Sequence, residues 1–525
     1  NMSKQTVALI ILDGWGVGKN DQSNPLFAAN LQNINYIKAN FPLACLQASG
    51  IASGIPWGEE GNSEIGHLTI GAGKVIYQNY PMITMSVRNK TFFQNEIIKE
   101  LFTHAKKNNS AVNLIGLLSD GNVHASLEHL EALIQLAEKE KPAVVNLHLI
   151  TDGRDSSPTA SLELIKRLNE IISLFPSANC RIASVTGRYY AMDRDKHWDR
   201  TQIYYKAITE ENPVAANGIE NYIRGNYEKN ITDEYLLPAT IAPDSFIKDN
   251  DSVFFFNFRE DRMRQITESF INKNFKDFSV KNFSDLYVAT MVSYDDRFSI
   301  PVAFLKEIVV NPLSKILSDN GKIQFKIAET EKYAHVTYFF NGENETPFNN
   351  EYRVLIPSRG DMRHDEHPEM MASEITQRLI AAIEEQSYDF ILANYANADI
   401  IAHTGNYDAA VQAVKIIDEQ IGKIMATAFE HNAIIIITSD HGNVEIMFDP
   451  ETGAIETKHD TSPVPIYLVA KQFKLSQPKS QMEILKSERA SAGVLADVAP
   501  TILELMQIPK PKEMTGQSLL NYLIT

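Results

Sequence analysis

Short apolar runs alternate with amphipathic stretches along the whole chain. TVALIILD (residues 6–13), YDFILANYA (388–396) and AIIIITSD (433–440) are apolar almost without interruption. A strand with one wet face would alternate, so these runs predict strands of a parallel sheet buried on both faces. SLEHLEALIQLAEKE (126–140) and DAAVQAVKIIDEQIGKIM (408–425) place their apolar residues at helical spacing instead. The middle of the chain repeats the strand style with AVNLIGLLSD, VVNLHLITD, CRIASVTG and DSVFFFNF. Strand and helix signals in alternation predict an α/β fold. No internal repeat or low-complexity tract interrupts the pattern.

Two stretches read as connectors, Tyr77–Pro81 and Arg297–Pro312, and 525 residues exceed one comfortable core. With both as linkers, a middle block (78–311) is inserted into an outer domain made from the two ends, 1–77 and 312–525. The net charge of −17 argues against non-specific binding to nucleic acid or an anionic membrane. Cys45 and Cys180 cannot make a disulfide framework, which suits a reducing compartment. The run TVALIILDG is too short to span a membrane and lacks a basic lead with a cleavage site. The expectation is a cytoplasmic enzyme without nucleic-acid or membrane partners.

The segment GEEGNSEIGHLTIGAGK (58–74) concentrates five glycines around Ser63, Glu64, His67 and Lys74. Its tail invites a phosphate loop, but Lys74 is followed by Val75 and Walker spacing is absent. The text GNSEIG is not a Gly-x-Ser-x-Gly elbow either. A serine hydroxyl needs a base or a metal to become a nucleophile. Asp13, Asp399 and Asp440 each close or follow an apolar run, where aspartate is also an ordinary turn or capping residue. Histidine shifts the balance. His441 follows Asp440, His403 lies four residues after Asp399 on one helical face, and His459 sits in a loop before PIYLVA. Three Asp and three His at strand ends make a ligand set for a pair of divalent metals. Such a metal, held by Asp13, Asp440 and His441, could activate Ser63, and the glycines would let backbone approach a phosphoryl group. His67 and Glu64 read as structural, bonded within a helix that begins at Ser63.

Arg154, Arg188 and Arg194 follow apolar runs, and Arg259 and Arg262 lie three apart, on one face of a helix. Arginine forks suit carboxylate and phosphate, although Asp152, Asp193, Asp195, Glu260 and Asp261 stand ready to pair with them.

Taken together, LDGWG, GNSEIGHLTIGAG, LLSDGNVHAS, TDGRD, GRYYAMDRDKHWDR, NFREDRMRQ, AETEKYAHVTYFFNG, NADIIAHTGN, TSDHGNVE and LADVAPT resemble the 2,3-bisphosphoglycerate-independent phosphoglycerate mutases of the alkaline phosphatase superfamily. The resemblance spans essentially the whole chain in matching order. It implies an alkaline-phosphatase-like doubly wound sheet with an inserted transferase-like α/β domain. It implies two metal sites, Asp399 with His403 and His459, and Asp13 with Ser63, Asp440 and His441, filled by Mn2+ in most of the family. It assigns substrate contacts to His124, Arg154, Asp155, Arg188, Arg194, Arg259, Arg262 and Lys332. Lys332 alone would pass for a surface lysine. Trp57, Glu59, Glu60, the stretch IPSRGDMRHDEHPEM and Ser462 depart from common family text without removing a ligand.

The expected activity is interconversion of 2- and 3-phosphoglycerate in glycolysis and gluconeogenesis by a monomer, with no added 2,3-bisphosphoglycerate. Ser63 takes the phosphoryl group, Asp155 is the general acid/base, and Lys332 offsets phosphoryl charge. Two rivals remain: a metal-dependent phosphomonoesterase, in which water attacks phosphoserine, and a lapsed phosphate-binding protein. The inserted arginine-rich block disfavours the first, and the complete ligand set disfavours the second.

Overall fold

The computed structural model describes residues 5–525 apart from 216, 361 and 450. Two compact units make up the chain: Asn1–Tyr77 with Glu307–Thr525, and Gln78–Lys306.

The first unit is built on an eight-stranded sheet with Val7–Leu12 inside it, parallel to Phe390–Tyr395 on one side and Ile434–Thr438 on the other. All six residues of Val7–Leu12 are buried, and the pleat divides them between two cores. Ala8, Ile10 and Leu12 join Leu379, Ile417 and Ile421, from the helices Ala372–Glu385 and Tyr407–Glu430. Val7, Leu9 and Ile11 join Ile502 and Leu503 from Val498–Leu505 on the opposite face. Helices on both faces explain why this run carries no polar alternation. The sheet is not wholly parallel, however. Val464–Val469 runs antiparallel to both Ile434–Thr438 and Leu43–Gln47. It is buried along its whole length, so its residue types carry no sign of its direction.

The second unit holds a seven-stranded sheet in the order Ala239–Thr240, Cys180–Gly187, Val145–Thr151, Val112–Leu118, Ser252–Phe255, Tyr287–Val292, Val302–Phe304. Only the pairing of Ala239–Thr240 with Cys180–Gly187 is antiparallel. The edge strand Val302–Phe304 lies within the stretch Arg297–Pro312, which is therefore more than a connector. Three half-buried residues are too few to leave a strand signal in the sequence. In both units the candidate chemistry gathers just beyond the carboxyl ends of strands, where open α/β sheets bind ligands.

Buried polar groups make the second unit acid-sensitive. His148 lies between Ser184 Oγ (2.8 Å) and Asn113 Oδ1 (3.1 Å), and His129 Nε2 meets Thr84 Oγ1 at 2.8 Å. Burial pushes both histidines down to about 3 from an ordinary 6.5. The unfolded chain therefore takes up protons below about pH 6.5 that the folded chain refuses. The stability these neutral rings carry is complete above pH 6.5 and is lost as pH falls toward 3. Each should contribute a slope of about 1.4 kcal/mol per pH unit in that window. Denaturant unfolding of the full chain at pH 6 and pH 5 should show a shallower slope for His129→Gln than for wild type. Equal slopes would mean that His129 is not held neutral.

Candidate active site

Ser63 is the first residue of the helix Ser63–Ala72, whose end is capped by Asn62 accepting from the Ile65 N–H at 2.9 Å. A helix N-terminus favours negative charge, which suits an alkoxide or a phosphoryl group. Two glycines explain how this helix comes so close to its neighbours. A Cβ on Gly66 would stand 2.6 Å from the Asp440 carbonyl oxygen, and one on Gly61 would strike the Ala48 carbonyl. Their role is close packing of the Ser63 end of the helix against the Asp440–His441 loop and Ala48.

Around Ser63 Oγ the groups converge. Asp13 Oδ1 and His441 Nε2 are each 3.0 Å away, and Lys332 Nζ donates to it at 2.7 Å. Lys332 Nζ also reaches Asp13 Oδ1 and Asp399 Oδ2, both at 2.7 Å. Far from being a surface residue, Lys332 is 4 % exposed. The strand Gln324–Glu329 and the turn Thr330–Lys332 deliver it into the cluster.

The histidines are arranged to present electron pairs. His403, His441 and His459 each direct Nδ1 at a backbone carbonyl, of Thr457 (2.7 Å), Gly442 (3.1 Å) and Gly61 (2.9 Å) respectively. Such Nδ1–H bonds leave the Nε2 lone pair for a ligand, the usual outer support of a metal-binding histidine. The Nε2 atoms of His403 and His459 lie 3.0 Å apart and 3.3 and 3.2 Å from Asp399 Oδ1. His441 Nε2 stands 3.4, 3.5 and 3.8 Å from Asp13, Asp440 and Asp399 oxygens. Among the described residues, two of the three groupings that could hold an ion lie here, Asp13–Asp440–His441 and Asp399–His441–His459, and His441 belongs to both; the third, Asp193–Asp195–His197, is in the second unit.

The charge balance of the cluster also fits cations. Burial alone would push His441 and Lys332 down, but Asp13, Asp399 and Asp440 outweigh it. His441 is held up at about 10, and Lys332 stays above its ordinary value. Burial would raise Asp399 and Asp440, yet Lys332 for the first and His441 for the second keep both well below the carboxylate range. Three buried carboxylates face one lysine, and the cluster offsets the rest of their charge by keeping a proton on His441, the position a bound cation would take over. Asp440 Oδ2 is buried without a hydrogen bond, its approaches being His67 Nδ1 at 3.3 Å and His441 Nε2 at 3.5 Å. Donor chemistry, orphan oxygen and charge deficit all fit divalent metal.

The second unit gathers the other candidates. Arg188, 4 % exposed, donates to Asp152 Oδ1 and Asp155 Oδ2, both at 2.7 Å, and its Nη2 lies 3.3 Å from His124 Nε2. Arg194 and Arg259 share Asp261, at 2.5 and 3.3 Å. Arg262 bonds the Met192 carbonyl at 3.2 Å. Arg154, half exposed, stays 3.8 Å from Glu234. Arg154, Arg188 and Arg262 line a cavity of about 180 Å³. Burial lowers Arg262, and Arg188, Arg194 and Arg154 lower it further, the mark of a pocket with surplus positive charge. Burial, Arg188 and Arg259 push His124 down to about 4, so it is neutral at pH 7. A larger cleft of about 490 Å³, along Trp15–Leu31 and Gln481–Glu488, holds none of these groups.

One expectation needs correction. Arg259 and Arg262 do not share a helical face, because the helix begins only at Arg264. Arg259 precedes, and Arg262 lies within, a turn closed by the Met263 N–H on the Glu260 carbonyl at 2.9 Å, and Asp261 in the same turn binds Arg259. Asp152 and Asp261 do pair with arginines, as local sequence allows, and hold the forks in place. Two buried residues were missed as site residues. Asn394 donates to Asp13 Oδ2 at 2.8 Å, and Asn443 to Asp399 Oδ1 at 2.8 Å. Asn443 follows Asp440-His441-Gly442 and could have been read from that position. Asn394 lies inside a strand with no local signal.

Comparisons with known proteins assign the family. Residues 83–296 match a family model described as "BPG-independent PGAM N-terminus", and residues 311–510 match "Type I phosphodiesterase / nucleotide pyrophosphatase". The chain is 42 % identical over 524 residues to 2,3-bisphosphoglycerate-independent phosphoglycerate mutase 1 of Methanosarcina barkeri, covering 99 % of this chain and 98 % of that one. It is 43 % identical to the mutases of that name from Clostridium botulinum (99 % of this chain, 100 % of the relative) and Antithamnion sp. (99 % of each). Among solved structures, the phosphoglycerate mutase of Leishmania mexicana, crystallised at low cobalt concentration, superposes with a TM-score of 0.52. It is 26 % identical and covers 98 % of both chains. On full-length identity above 40 %, the chain belongs to the 2,3-bisphosphoglycerate-independent phosphoglycerate mutase family.

Proposed function

We propose that the chain interconverts 2- and 3-phosphoglycerate through a phosphoserine at Ser63, without added 2,3-bisphosphoglycerate. The observation that carries this reading is Ser63 Oγ at the start of a helix, within 3.0 Å of Asp13, His441 and Lys332. The full-length relatives named as mutases support it over a plain phosphomonoesterase.

Two divalent ions, Mn2+ by the family resemblance, would be held by Asp399, His403 and His459 and by Asp13, Ser63, Asp440 and His441. Bound there, they would lower the pKa of a ligated hydroxyl and offset phosphoryl charge. The chain's own groups do the rest. Ser63 Oγ, which enters and leaves the cycle deprotonated, attacks phosphorus while Lys332 donates to the phosphoryl oxygens. Asp155 gives a proton to the departing glycerate oxygen. His124, Arg154, Arg188, Arg194, Arg259 and Arg262 hold the glycerate. The second glycerate hydroxyl then yields its proton to Asp155, takes the phosphoryl group, and leaves Ser63 free. The substrate is a small molecule. A monomer suffices, since every proposed residue lies in one chain, and among the described residues no helix is long and apolar enough to cross a membrane.

Stripping divalent metal should abolish turnover of 3-phosphoglycerate, and Mn2+ should restore it. His403→Ala should lose one ion per chain, whereas His441→Ala should weaken both sites, because His441 lies in both groupings. Metal analysis after dialysis checks this. Full occupancy in both variants would overturn the ligand set.

A further inference from the structure

His67 lies directly behind the nucleophile and is fully buried. Its Nδ1 is 2.8 Å from the Ser63 carbonyl oxygen and 3.3 Å from Asp440 Oδ2. Its Nε2 is 3.0 Å from Asn394 Nδ2, which also donates to Asp13 Oδ2 at 2.8 Å. An amide nitrogen can only donate, so His67 Nε2 must accept and the ring proton sits on Nδ1. Reversing the Asn394 amide would aim its oxygen at the Asp13 carboxylate, so the arrangement has one sense. The resulting chain of bonds runs Asp13, Asn394, His67, Ser63, with Asp440 Oδ2 facing the same ring nitrogen at 3.3 Å.

We propose that His67 is a positioning residue: its Nδ1–H, oriented by the Asn394 amide, fixes the Ser63 backbone against Asp440 Oδ2 and so sets how nucleophile and carboxylate face each other. This rests on the phosphoserine reading above. Ser63 begins its helix, where the first N–H groups have no partner inside the helix and other groups must complete the end. The imidazole N–H bonded to the Ser63 carbonyl, with Asp440 Oδ2 at 3.3 Å, is a buried side-chain tie at that end. Groups that orient metal ligands commonly change metal affinity or activity about 10–100-fold when lost.

The test uses the full-length chain with three substitutions. Asn at position 67 can keep a donor at the Nδ1 position, Gln reaches only the Nε2 position, and Leu offers neither. We expect His67→Leu and His67→Gln to lower kcat for 3-phosphoglycerate by about 10–100-fold with KM little changed. Mn2+ titrated into the metal-stripped chain should bind these two variants more weakly. His67→Asn should retain most of both properties. A folded His67→Leu with wild-type kcat and Mn2+ affinity would overturn the proposal, as would equal losses in the Asn and Leu variants. Nitrogen NMR of histidine-labelled wild type adds a readout independent of any variant's folding: the His67 proton must reside on Nδ1, and an Nε2–H signal refutes the assignment. A Ser63→Ala variant that stayed active would instead refute the phosphoserine reading itself.

Discussion

Replacing Ser63 with alanine should reduce turnover by roughly 10⁴–10⁶-fold, the scale on which losing a covalent nucleophile registers. The protein should nevertheless stay folded. Removing Oγ strands no buried charge, because Lys332 keeps Asp13 and Asp399 at 2.7 Å. The Asn62 cap, which bonds the Ile65 N–H, does not involve the Ser63 side chain. Steady-state rates on 3-phosphoglycerate alongside a melting curve separate the two effects. Activity above a few per cent of wild type in a folded variant would remove phosphoserine from the mechanism. A collapse in melting temperature would show that Oγ holds the cluster together in a way these contacts do not.

How much of this could be read from the residues depends on what each relies on. The strands Val7–Leu12, Phe390–Tyr395 and Ile434–Thr438 were legible because burial on both faces writes an unbroken apolar run. The aspartates ending or following them were legible by position. The antiparallel course of Val464–Val469 was not, since side-chain burial is indifferent to strand direction. Lys332 could not be distinguished from a surface lysine by its neighbours. Its burial comes from carboxylates 319 residues before it and 67 after. The grouping of Arg259 and Arg262 was legible but their turn was not, because spacing of three fits either geometry. Asn394 shows the limit most clearly. An amide within an apolar strand reads as an unexplained polar residue until the fold places Asp13 and His67 on either side.

Wild-type enzyme should return the phosphoryl group to the glycerate from which it came, with almost none lost to water. Phosphoserine faces two acceptors, bulk water and one held glycerate. Holding the acceptor supplies an effective concentration of roughly 10⁵–10⁸ M, which favours glycerate over water by at least about 10³-fold. That preference lasts only while glycerate remains bound. Among the arginines, Arg262 is the informative one to remove. Its guanidinium is pushed down by burial and then by Arg188, Arg194 and Arg154, so an arriving anion relieves a repulsion that Asp261 does not cancel. Arg188, by contrast, already has Asp152 and Asp155 at 2.7 Å. Arg262→Ala should therefore shorten the stay of glycerate and raise free phosphate from a trace to a measurable share of turnover. Mixing phosphate-labelled substrate with substrate labelled in its carbon chain reads both quantities. Singly labelled products from wild type, and phosphate release growing in Arg262→Ala, are the expected results. Doubly labelled product would mean that glycerate exchanges before transfer. Free phosphate as the main wild-type product would mean that water, not the arginine-held hydroxyl, is the natural acceptor.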